Sequence, residues 1–134
     1  MRMTRLFLAA LVTCTAVGCG GGPDSVFREQ IKVLGEYSAV LETIKSKDDL
    51  EKNRSRLVAL KTKFEALEAR ALALSSTRVA DYDRAEAKHG EALEQAEERF
   101  SEAIEKATRA AGNLKGLVPD EYLPGADDDD IDNP

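Results

Sequence analysis

From Phe27 to Leu114 the apolar residues return every seven positions, and there is almost no alternation of apolar and polar residues of the kind a strand would show. Phe27, Leu34 and Leu41 form one row, with Tyr37 and Ile44 on the adjoining row and Ile31 widening the stripe. Leu50, Leu57, Phe64 and Ala71 form the next, beside Leu60, Leu67 and Leu74. Val79, Leu93, Phe100, Ala107 and Leu114 form the last, beside Tyr82, Ala96, Ala103 and Ala110. A spacing of seven lays an apolar stripe along a helix, and such stripes pack at shallow crossing angles. The spacing predicts helices over about Asp24–Lys45, Ser46–Leu74 and Arg78–Asn113. Ser46, with Asp49 three residues on, reads as a capped helix start, and Ser75-Ser76-Thr77 as a break that can cap the third helix. Short connections force successive helices to run antiparallel. The expected fold is all-α: an up-down-up three-helix bundle, or a helical hairpin with a shorter helix laid along it.

Charge suggests a register. Lys52, Arg54, Arg56, Lys61 and Lys63 form a run without an acid, whereas Asp81 to Glu105 is dominated by acids. A reversal near Ser76 sets the basic run beside Glu91, Glu94, Glu97 and Glu98, so the run is read as an internal complement and not as a nucleic-acid surface. The same reversal sets Phe64 level with Lys88 and His89; a reversal near Ser46 sets Phe27 level with Phe64. Gly35 and Gly90 interrupt helical segments and are read as points of close approach or kinking. The alanine-rich third helix buries little area, so self-association into a homo-oligomer is one way to supplement stability.

At 134 residues the chain has room for one small domain and excludes barrels and multi-span transporters. Its amino terminus departs from the helical pattern. Arg2 and Arg5 precede an apolar run from Leu6 to Val17, shorter than the roughly 20 residues a membrane-spanning helix needs. A basic start, a short apolar core and small residues at its end mark an export signal. Ala16-Val17-Gly18-Cys19 resembles the lipobox of bacterial lipoproteins; Cys14, preceded by Thr13, fits that motif poorly. The resemblance implies that Cys19 receives a diacylglyceryl group, that the chain is cut before it, and that its new amine is acylated. It also implies attachment to the cell envelope, at the outer membrane of a two-membrane host because Gly20 is not an aspartate. Ala16 and Gly18 equally satisfy the small-x-small rule of ordinary secretion, which would leave Cys19 free. The organisation expected is a signal peptide over 1–18, a lipidated cysteine and glycine-rich tether over 19–23, a bundle over 24–114, and a solvated acidic tail over 115–134.

No constellation of residues identifies a reaction, so no enzyme activity and no cofactor are expected. The single histidine, His89, with Glu86 has the Glu-x-x-His helical spacing of carboxylate-bridged di-iron proteins. Such sites need two of these pairs and two more carboxylates, so a metal- or ligand-binding bundle built on Glu86 and His89 requires an oligomer. The plainer reading is a polar notch with the imidazole bonded to a neighbouring carboxylate. Asp127 to Asp130 with Asp132 lack the alternating ligands and central glycine of a calcium loop. The last turns of the third helix overshoot the second, which leaves Ile104, Ala107, Ala111 and Leu114 to be covered. Either Leu117–Leu123 folds back over them or an unknown protein partner does.

Overall fold

The computed structural model describes residues 21–125; the segment read as an export signal, Cys14, Cys19 and the aspartates beyond Gly125 lie outside the described residues. Among the described residues the chain forms α1 (Pro23–Glu42), α2 (Lys47–Thr77), α3 (Val79–Ala111) and one 3₁₀ turn (Asp120–Tyr122). The all-α bundle expected from the apolar rows is the fold.

Local chemistry explains the boundaries. Pro23 occupies the first turn of α1, where its fixed φ suits a helix and its missing N–H is not needed. The Ser46 hydroxyl accepts from the Asp49 N–H at 3.2 Å while the Asp49 carboxylate accepts from the Lys45 N–H at 3.0 Å, so each side chain satisfies one backbone donor at the start of α2. Ser75, Ser76 and Thr77 behave differently from expectation. Their hydroxyls donate backward to the carbonyls of Leu72 and Ala73, which extends α2 past Leu74, and α3 has no side-chain cap. Arg78 alone breaks the helix, at φ −132° and ψ 52°.

The three helices do not share the core equally. α1 is buried along Val26, Phe27, Val33, Leu34, Tyr37, Val40 and Leu41, more than one stripe, because it packs against both other helices, most extensively α3. α1 and α3 run parallel: Asp24 meets Lys88 and His89, and the Tyr37 and Phe100 rings lie 4.7 Å apart. Two level predictions fail. Phe27 meets Tyr82 and His89 of α3, at ring distances of 5.2 and 6.2 Å, with no ring contact to Phe64. Phe64 is level with Phe100, 6.5 Å away, and not with Lys88 or His89. The chain turns at Arg78, later than Ser76, and side chains lean toward the N-terminus of their own helix. In this antiparallel pair Phe64 leans away from the turn and Phe100 toward it.

Rows of seven also mislead along α3. Val79 and Ala110 are exposed while Ile104 and Ala111 are buried. A straight helix has 3.6 residues per turn, so a strict seven-residue row drifts by about 20° per heptad. Gly35 and Gly90 mark no close approach: a Cβ at either would meet nothing within 4 Å, and both helices continue through them.

The charge complement between α2 and α3 is not made. Lys52, Arg54 and Lys61 pair with Asp48, Glu51 and Glu65 of their own helix, and none of the five bases pairs with an α3 acid among the described residues. The space between α2 and α3 at that level is taken by residues 112–125. Gly112 and Gly116, at φ 91° and 79°, turn this segment back from α3. Leu114, Leu117 and Val118 are buried, and the Tyr122 ring inserts against Phe64 and Phe100 at 6.1 and 4.9 Å. Residues 115–125 are therefore a strap of the domain, where a solvated tail was expected from residue 115 on. The bundle does not end at Leu114.

Candidate functional site

The surface expected to await a covering is buried in one core cluster with residues of α1 and of the strap. Ile104, Ala107, Ala111 and Leu114 are exposed by only 1%, 0%, 5% and 0%. Of the two coverings weighed, the chain supplies its own; these four residues offer a partner no open face.

Glu86 and His89 are not brought together as ligands. Glu86 is exposed and makes neither hydrogen bond nor ion pair among the described residues. The His89 side chain is only 13% exposed, stacks on Phe27 with the rings 18° from parallel, and places Nε2 2.7 Å from Asp24 Oδ1. Lys88 Nζ donates to the same oxygen at 3.1 Å, and Arg28 pairs with the other at 3.0 Å. The hydrogen bond from His89, then that from Lys88, lower the Asp24 carboxyl to about 2. The first turn of α1 is thus clamped to α3 through one carboxylate. Asp24 was missed in the sequence reading, although an acid in a first helical turn is a recognisable partner for cations.

A second cluster surrounds the strap. Glu68 of α2 and Glu97 of α3 line one crevice of about 300 Å³ with Phe27, Ala71, Tyr82 and Leu93. Burial, followed by the charge of Glu121 on the strap, pushes Glu68 up to about 7; Glu65 and Glu97 add to the shift. Burial raises Glu97 as well, against a hydrogen bond from Tyr122 that lowers it. Burial also raises the Tyr122 and Tyr37 phenols, so both stay protonated donors at neutral pH. Chemically this cluster is a set of crowded carboxyls and one phenol where strap and bundle meet. Among the described residues no group of three or more His, Cys, Asp or Glu side chains is arranged to hold a metal ion.

The tether is the third region. Arg70 Nη2 donates to the Gly21 carbonyl at 2.6 Å, and Gly22 lies against the Arg78 guanidinium, where an added Cβ would come within 2.9 Å of Nη1. The glycine spacer is held on α2 and on the α2–α3 turn at the point where the chain enters α1. No helix among the described residues is long and apolar enough to cross a membrane. Comparison with known proteins finds no matching family model, no similar curated protein and no similar solved structure.

Proposed function

We propose that this chain is a non-enzymatic bacterial lipoprotein, exported and anchored to the cell envelope through acylated Cys19, which acts as a structural or protein-interaction module. One observation carries the reading: the lipobox-like Ala16-Val17-Gly18-Cys19 is followed directly by Gly20-Gly21-Gly22 and then by the first residue of α1. A glycine-rich spacer of that composition is suited to join an anchor to a folded domain. The fold is compatible with it, because the bundle closes its own core with the strap and needs no membrane-spanning element. In this role the domain is a rod: α3 has 33 residues, which gives a length of about 50 Å.

Mass spectrometry of the mature protein purified from bacterial membranes tests the reading. The expected amino terminus is Cys19 carrying diacylglyceryl and a third acyl chain, with Cys19→Ala left unacylated and released from membranes. A mature protein with an unmodified Cys19 in the culture medium overturns it in favour of ordinary secretion.

A further inference from the structure

The exposed large hydrophobics among the described residues are not scattered evenly. Leu72 is 74% exposed and Val79 55%, and both flank the α2–α3 turn; Val58, 44% exposed, lies farther down α2. The exposure of Val79 follows from the length of α1, whereas Leu72 stands at the edge of the crevice it lines with Phe27 and Tyr82. Because Asp24 is level with Lys88 and His89, the first residues of α3 and the last of α2 run roughly two turns beyond the start of α1. Among the described residues no helix besides α2 and α3 themselves extends to the tip.

The tether lies along this same tip. Arg70 holds Gly21 and Arg78 abuts Gly22. Cys19 stands two residues before the pinned Gly21 in the sequence. The strap lies toward the opposite end, where Leu123 and Pro124 line a crevice with Thr108 and Gly112 near the close of α3. The geometry points to the α2–α3 tip as a membrane-contacting surface, with Leu72 and Val79 set into the headgroup–acyl boundary of the bilayer that holds the Cys19 lipid. This inference rests on the lipoprotein reading and adds an orientation: the rod stands on its turn and presents its strap end away from the membrane.

Charge at the tip fits a lipid surface without dominating it. Arg78 and Arg84 share Asp81, and Arg28 and Lys88 share Asp24, while Asp83 and Glu86 are exposed nearby. The balance is close to even. Aliphatic side chains held at the surface by a neighbouring anchor are therefore the main contact, with arginines at headgroup level.

The test uses the full-length lipoprotein bearing single cysteines at three exposed positions, Leu72→Cys, Val79→Cys and Val58→Cys. Each is labelled with a nitroxide and reconstituted into phosphatidylethanolamine–phosphatidylglycerol vesicles, with Cys19 acylation verified by mass spectrometry. Expected is a severalfold lower collision rate with a water-soluble nickel chelate at 72 and 79 than at 58, and a higher one with oxygen. Equal chelate access at all three positions on acylated protein overturns the orientation while leaving the anchor intact. Protection at 72 and 79 accompanied by label–label dipolar broadening means a second copy covers the tip, which also overturns it. Absence of lipid on Cys19 fails the underlying reading instead.

Discussion

The Tyr37 hydroxyl, midway along α1, donates to the backbone carbonyl of Leu117 in the strap, 80 residues later in the chain. Both residues are buried, and the bond ties the central helix to the segment that closes the gap between α2 and α3. Tyr37→Phe keeps the ring against Phe100 but leaves the Leu117 carbonyl without its partner, an unmet buried acceptor worth about 1–3 kcal/mol. Urea denaturation should show that loss. Leu117→Ala should lower stability by about 2–5 kcal/mol through loss of buried volume. A wild-type midpoint in both variants would mean that the strap contributes nothing to the fold.

Gly35→Ala and Gly90→Ala should each raise stability by about 0.5–1 kcal/mol. Both positions are helical and open, so alanine reduces the entropy of the unfolded chain and meets no neighbour. Thermal melts of the single and double variants check this, and a lowered melting temperature would reveal a close approach absent from the structure.

Stability should fall as pH rises from about 4.5 toward 7. Glu68 has a folded value of about 7 against an ordinary 4.5, so the folded chain keeps a proton that the unfolded chain releases. The contribution is fully present below 4.5 and is lost as pH climbs through 7. Urea midpoints measured from pH 4.5 to 8 should decline for wild type and flatten for Glu68→Gln. Equal slopes in the two proteins would rule out Glu68 as the source.

Asp24 has the opposite sign. Its carboxyl is lowered to about 2 from 3.8, so its clamp on α3 is in place above 3.8 and is lost as pH falls through 2. Carboxyl NMR titration should find Asp24 well below the other aspartates. His89→Ala should return it toward 3.8 by more than Lys88→Ala does, because the histidine hydrogen bond is the larger cause.

The helices were legible because their apolar spacing and their caps are local. Ser46 and Asp49 cap a helix through atoms a few residues apart, and the rows of Leu50, Leu57, Phe64 and Leu60, Leu67 are the ones buried. The plain reading of His89, bonded to a carboxylate, was also legible, but the identity of that carboxylate was not. Asp24 lies 65 residues away and is reached only when α1 and α3 run parallel at their actual level.

Sequence by itself therefore determined the all-α class, the antiparallel order and most core positions, since 3.6-residue periodicity and capping act within one or two turns. Tertiary structure alone decided the level of α2 against α3, the failure of their charges to pair, and the strap that joins Ile104, Ala107, Ala111 and Leu114 in one core cluster. Surface ion pairs are too weak to set a register, so the lean of Phe64 and Phe100 and the space Tyr122 fills between them prevail. Leu117 and Val118 follow α3 in a short stretch with no periodicity, and only a groove already formed by two helices gives them somewhere to be buried.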